Sequence, residues 1–176
     1  MKRIITIAAA AAIALLAAGI SSQAKSPAGP DGGPVTIGEK FRDLEEPDTK
    51  GKVRKLSEFV GKGKWVFVDF WASWCGPCRR EMPNVVAAYK KYHSKGFEIV
   101  GLSFDSDKDN WLQAIKDLEM PWIHLSDLGG WQSKAAQVYG IRSIPSSILV
   151  DPKGIIVATN LRGPALGEKL EEIFGK

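Results

Sequence analysis

Cysteine is scarce in this chain: two among 176 residues, neither before position 75. With no cysteine before Cys75 to carry a lipid, a lipoprotein is not expected. Histidine is equally scarce. His93 and His124 stand 31 residues apart and form no close pair. A structural zinc site draws its four ligands from two close pairs, so a single C-x-x-C here lacks its other half, and no metal is expected. Three methionines, Met1, Met82 and Met120, make no thioether cluster for copper. A dominant charge is missing too: 24 Lys and Arg face 20 Asp and Glu, a net of +4. That balance does not support a nucleic-acid partner. No internal repeat is present.

What is there begins with the two cysteines themselves. Cys75-Gly76-Pro77-Cys78 follows the apolar run Trp65-Val66-Phe67-Val68-Asp69-Phe70-Trp71. Proline suits the first turn of a helix, where its missing N–H costs little. Two thiols at such a helix start close a small disulfide ring. Free N–H groups and the partial positive charge there stabilise a thiolate on the first of them. Cys75 is therefore expected to attack, and Cys78 to resolve the mixed disulfide. A purely structural bridge is a poor explanation, because so short a loop removes little chain entropy. Asp69 is a carboxylate inside an apolar strand, six residues before Cys75. Burial there is costly unless the group has a task or a partner.

Val68 through Cys78 closely resembles the active-site segment of thioredoxin. Continued through Arg79-Arg80-Glu81-Met82-Pro83, it resembles the exported thioredoxin-like proteins of the TlpA/ResA group, and the likeness covers residues 35–176. Ser143-Ile144-Pro145, ahead of the apolar run Ser146 to Val150, stands where that group has its cis-proline. The resemblance implies an α/β protein: a thioredoxin fold with an N-terminal β-hairpin and a central helix-strand insertion near residues 106–128. It implies that Asp69 assists proton transfer at Cys78 and that Glu81 is an active-site acid. Trp74, Gly76, Pro77, Ile144 and Pro145 become expected substrate contacts. The redox disulfide stands in place of a cofactor. Implied partners are protein disulfides or dithiols and a membrane thiol donor of the DsbD/CcdA kind. One family role is keeping C-x-x-C-H thiols reduced for cytochrome c maturation. A monomer is expected.

The first 24 residues have the anatomy of an export signal: Lys2-Arg3, an apolar stretch from Ile4 to Ile20, then Ser22-Gln23-Ala24. Retained, the stretch would instead be a short, alanine-rich anchor. Cleavage lowers the net charge from +4 to +2. Residues 25–34 form a Pro/Gly-rich linker. Residues 35–176 then read as one domain in a periplasmic setting, free or anchored. Lys50, Lys52, Arg54, Lys55, Lys62 and Lys64 make a basic stretch, expected as a solvated face around a hairpin turn. Strands are expected at 65–71, 97–104, 122–125, 146–150 and 155–159. Helices are expected at 76–94, 110–118, 132–139 and 164–174, with Ser57 capping a short turn to Val60.

The function these readings converge on is an exported thiol–disulfide oxidoreductase acting as a reductant. Cys-Gly-Pro-Cys occurs in thioredoxins with potentials of about −270 mV, against about −120 mV for the oxidant DsbA. Three alternatives stay open: an oxidant or isomerase of exported proteins, a peroxiredoxin-like peroxidase, and a non-enzymatic binding module. The peroxidase would need a threonine where Ala72 stands.

Overall fold

The computed structural model describes residues 32–175; the expected signal segment and all but the last three residues of the linker lie outside them. The elements run β1 Glu45–Pro47, β2 Val53–Lys55, β3 Trp65–Trp71, α1 Gly76–Tyr92, β4 Phe97–Ser103, α2 Lys108–Asp117, β5 Ile123–Leu125, α3 Lys134–Tyr139, β6 Ser146–Val150, β7 Ile156–Thr159 and α4 Pro164–Phe174. A five-stranded sheet has the order β5-β4-β3-β6-β7. β3, β4 and β5 are parallel, while β6 and β7 join antiparallel to β3 and to each other. This is the α/β arrangement that the resemblance implies.

β3 holds the centre. From Val66 onward every one of its residues is buried, as expected of a strand with neighbours on both edges and helices on both faces. Because β6 runs against β3, Phe70 stands opposite Ser146. The end of β3 that leads to Cys75 and the start of β6 that follows Pro145 therefore share one end of the sheet. α1 packs on α4 and carries Met82, Val85, Val86 and Tyr92 into the core.

The insertion is α2 and β5, and β5 extends the sheet as an edge beside β4. The hairpin β1–β2 leans on that edge: Asp48 bridges Leu125, and the Ser126 N–H donates to the Pro47 carbonyl at 2.9 Å. Asp48 Oδ1 closes the hairpin turn by accepting the N–H groups of Lys50 and Lys52 at 2.9 and 3.0 Å. Most cations of the basic stretch whose pairing is seen are bound to carboxylates: Arg54 to Glu58, Lys55 to Glu45, Lys64 to Glu98.

Local boundaries differ from the sequence expectation where a cap was misread. Ser57 lies inside a single turn at Leu56–Glu58 and its N–H donates to Asp43 Oδ1; the cap is Lys55, whose N–H donates to Glu58 Oε1 at 2.8 Å. α2 starts at Lys108 because Asp107 caps it, accepting the Asn110 N–H at 2.8 Å. α3 starts at Lys134 because Ser133 caps it, accepting the Ala136 N–H at 3.1 Å; Gly130–Gln132 form a separate turn. The last linker residues are held: Arg42 Nη1 donates to the carbonyls of Gly33 and Val138, both at 2.7 Å. Among the described residues no helix is long and apolar enough to cross a membrane.

Candidate active site

Cys75 caps α1 and Cys78 lies in its first turn. The two are joined as a disulfide with Cα atoms 5.2 Å apart. The Cys78 N–H donates to Cys75 Sγ at 3.1 Å, so the helix start bonds the first sulfur directly. Pro77, in the first turn, leaves no extra donor unpaired. Both sulfur-bearing residues are buried, while Gly76 and Pro77 between them are exposed. An approaching group meets the backbone of Gly76-Pro77 first.

Asp69 is buried in β3, flanked in the sheet by Gly101 and Ser147. Burial pushes its carboxyl up to about 7, and the nearby charge of Glu81 adds to that. Glu81 is half-buried on α1, and its Oε1 accepts the Gly163 N–H at 2.7 Å, at the N-cap of α4. Asp69 on β3 and Glu81 on α1 thus lie close enough for the charge of one to act on the other. A carboxyl poised near neutrality can exchange a proton with a thiol at physiological pH.

The Ile144–Pro145 peptide bond is cis. Ile144 and Pro145 are half-buried at the shared end of the sheet. Two residues beyond β7 hold this loop. Arg162 Nη2 donates to the Pro145 carbonyl. Asn160 takes a left-handed conformation with φ 54°, its Oδ1 accepts from Ser146 Oγ at 2.7 Å, and its N–H donates to the Ser147 carbonyl at 2.7 Å. Asparagine tolerates that conformation better than most residues.

Three further groups at the site escape sequence reasoning. Asp105 is buried just past β4. Its carboxylate accepts the Ser73 N–H at 3.0 Å, Ser73 Oγ at 2.5 Å and Ser103 Oγ at 2.6 Å, fixing the turn that leads into Cys75. Trp131 faces Trp74 with ring centroids 6.1 Å apart and is backed edge-on by Phe104 at 5.4 Å. Arg162 is the third. The only sequence signals available were an aspartate ending an apolar strand and an unassigned tryptophan in a Gly-rich loop. Ala72, three residues before Cys75, is buried and offers no hydroxyl to a peroxide. Among the described residues no cluster of His, Cys, Asp or Glu could hold a metal ion.

A redox disulfide at a helix start, on a sheet of this topology, defines a thiol–disulfide oxidoreductase with a thioredoxin-like fold. Residues 37–159 match the AhpC/TSA family, and the chain belongs to that family. It is 34% identical over 142 residues to the thiol-disulfide oxidoreductase ResA of Bacillus thuringiensis subsp. konkukian, covering 81% of this chain and 79% of that one. Among solved structures it resembles the thioredoxin domain of a thiol-disulfide oxidoreductase from Bacteroides vulgatus, with TM-score 0.73, 34% identity, and 80% and 99% of the two chains covered. A thiol:disulfide interchange protein from a Bacteroides species matches with TM-score 0.70 and 33% identity, over 81% and 92% of the chains.

Proposed function

We propose that this oxidoreductase works outside the cytoplasm as a reductant of protein disulfides. Cys75 is the nucleophile, Cys78 the resolving thiol, and Asp69 the group that moves the proton of Cys78. The observation that carries the reading is the bond from the Cys78 N–H to Cys75 Sγ at the cap of α1, the helix that follows the strand in which Asp69 is buried. In the reduced protein the same N–H groups favour a thiolate on Cys75.

The Cys75 thiolate attacks one sulfur of the substrate disulfide. A Cys75–substrate disulfide forms, and the other substrate sulfur leaves as a thiolate that takes up a proton. Cys78 gives its proton to the Asp69 carboxylate and attacks Cys75 Sγ. The Cys75–Cys78 disulfide closes, and the second substrate sulfur leaves and is protonated. Two electrons pass from the dithiol to the substrate. Glu81 raises the proton affinity of Asp69 by its charge. The cis Ile144–Pro145 segment lies where an extended substrate chain would run beside Cys75, with Trp74 at the rim. A membrane-bound dithiol donor of the DsbD/CcdA kind restores the reduced form. The export-signal anatomy of the first 24 residues in the sequence supports this compartment. Disulfides within the C-x-x-C-H segments of cytochrome c precursors, which must be reduced before haem attachment, are one substrate set consistent with it.

The test is trapping. Cys78→Ser should accumulate mixed disulfides through Cys75, and iodoacetamide at neutral pH should label Cys75 faster than Cys78 in the reduced protein. Faster labelling of Cys78 would reverse the roles. A dithiol potential near about −270 mV against glutathione supports the reductant; one near about −120 mV makes the protein an oxidant.

A further inference from the structure

Six of the seven arginines lie among the described residues, and they divide sharply. Arg42 pairs with Glu39, and Arg54 pairs with Glu58 and Asp48. Arg79, Arg80, Arg142 and Arg162 have no carboxylate at ion-pair distance among the described residues. Arg79 and Arg80 adjoin the disulfide, Arg162 and Arg142 lie at the Pro145 loop, and all four are exposed. Arg79 and Arg80 follow Cys78 directly; Arg79 Nη1 donates to the Ser73 carbonyl at 3.4 Å, and Arg80 lies over Gly76, its Nη1 3.5 Å from where a Cβ would stand there. Arg162 donates to the Pro145 carbonyl, and Arg142 lies on the loop that ends in Pro145. Of the acids around the site, Asp69 and Asp105 are buried, Glu81 is committed to the Gly163 N–H, and the exposed Asp127 is engaged by the N–H groups of Gly129 and Lys134.

The same rim carries exposed aromatic surface. Trp74 is 54% and Trp131 45% exposed, and the remaining large exposed apolar residues, Ile37 and Val53, lie outside the site. Trp131 is held firmly for an exposed side chain. Phe104 backs its ring, and the preceding Gly130 donates its N–H to the Asp105 carbonyl oxygen at 3.4 Å. Asp105 also fixes the turn that carries Trp74. One buried carboxylate residue therefore sets the relation between both indoles and the disulfide.

Unpaired guanidinium groups around an aromatic platform match a ligand with carboxylates and an apolar side chain. We infer that Trp74 and Trp131, rimmed by Arg79, Arg80, Arg142 and Arg162, form a docking surface for an acidic substrate segment that carries an aromatic or large apolar residue beside its cysteine. This rests on the reductase reading and adds the substrate class to it. A polypeptide fits better than an anionic membrane. Trp74 adjoins a disulfide that exchanges with another sulfur, and Arg79 and Arg162 donate to backbone carbonyls of the segments beside it.

The experiment uses two disulfide-linked peptides with the same cysteine spacing, one flanked by Glu and Phe, the other by Lys and Ser. The reduced full-length protein should reduce the acidic peptide with kcat/KM about tenfold higher. That preference should collapse between about 0.01 M and about 1 M salt, as the screening length falls from about 30 Å to about 3 Å. In Arg142→Gln and in Trp131→Ala the ratio of the two kcat/KM values should fall toward one. Because the readout is a ratio, a general loss of activity does not imitate it. Equal rates for the two peptides would overturn the docking surface and leave the reductase standing. Failure to reduce either peptide or the small neutral disulfide of mercaptoethanol would overturn both. If phosphatidylglycerol vesicles quench Trp74 and Trp131 fluorescence while the peptides are not discriminated, the surface is a membrane face and the proposal falls.

Discussion

At the scale of single residues, the proposed proton transfer depends on a carboxyl group held where carboxylates seldom titrate. Asp69 is buried, and burial moves its proton loss from 3.8 to about 7, with the charge of Glu81 adding to the shift. The unfolded chain releases that proton near 3.8, so between there and about 7 the folded state binds more protons. Stability contributed by neutral Asp69 is complete below the unfolded value and is lost as pH rises through about 7. Asp69→Asn should remove that loss, so melting curves of the variant should be flatter than wild type from pH 5 to pH 8. Turnover should move the other way. Without a proton acceptor beneath Cys78, resolution of the mixed disulfide should slow by roughly 10²-fold, and its rise through neutral pH should vanish. Unchanged stopped-flow resolution rates across pH 6–9 would remove Asp69 from the chemistry. Cys75, Cys78, Asp69 and Pro145 were legible as candidates because each is marked within its own short segment. Asp105 and Arg162 were not. Asp105 acts on Ser73 from 32 positions away, and Arg162 acts on Pro145 from 17; nothing local to either announces the contact.

At the scale of elements, the hairpin is more than a cover. Glu45 and Glu46 are adjacent on β1 and chemically alike, yet strand alternation sends them to opposite faces. Glu45 is exposed and pairs with Lys55 at 3.0 Å. Glu46 is fully buried, and its Oε1 accepts the Ala135 N–H at 3.0 Å in the first turn of α3. Burial pushes its carboxyl up to about 8, Asp127 adding to the rise. Asp127 itself accepts the N–H groups of Gly129 and Lys134, so both acids hold the segment that bears Trp131. The sign is again that of a raised carboxyl: stability from neutral Glu46 is lost as pH climbs from 4.5 through about 8. Glu46→Gln should therefore raise the Tm relative to wild type at pH 9 and leave it close to wild type at pH 5. If Tm differences are the same at both values, Glu46 is not the titrating link between hairpin and α3. The position of the hairpin as an element could be read from its turn residues. Its seat on the insertion could not, because it depends on Asp48 meeting Leu125 across most of the sheet's connectivity.

At the scale of the whole molecule, the order of apolar runs and amphipathic stretches was enough to place the sheet, since β3 and β4 are nearly continuous apolar segments and the helices lie between strands. What pattern alone could not supply is how the insertion joins the redox strand. The join is Gly101 in β4. It lies between Asp69 on β3 and His124 on β5 in the register of the sheet. A Cβ built there would stand 2.7 Å from His124 Nδ1 and 3.1 Å from Trp71 Nε1. Trp71 and His124 pack edge-on through this gap with centroids 5.8 Å apart, and both are buried. His124 Nε2–H donates to the Met120 carbonyl at 3.2 Å, and burial lowers its proton affinity to about 4, so the ring is neutral at physiological pH. Gly101→Ala would force a methyl group against two rings that belong to opposite sides of the join. Overpacking of this kind costs about 1–3 kcal/mol, a fall in Tm of roughly 3–10 °C for a domain of this size. Shortening the ring relieves the clash, so His124→Ala in the Gly101→Ala background should cost less than the two single changes added together. The displaced Trp71 leads directly into the Ser73 turn, and Gly101→Ala should also slow disulfide exchange at Cys75. Additive losses of stability, with exchange unaffected, would show that the insertion is attached to the sheet without being coupled to the redox strand.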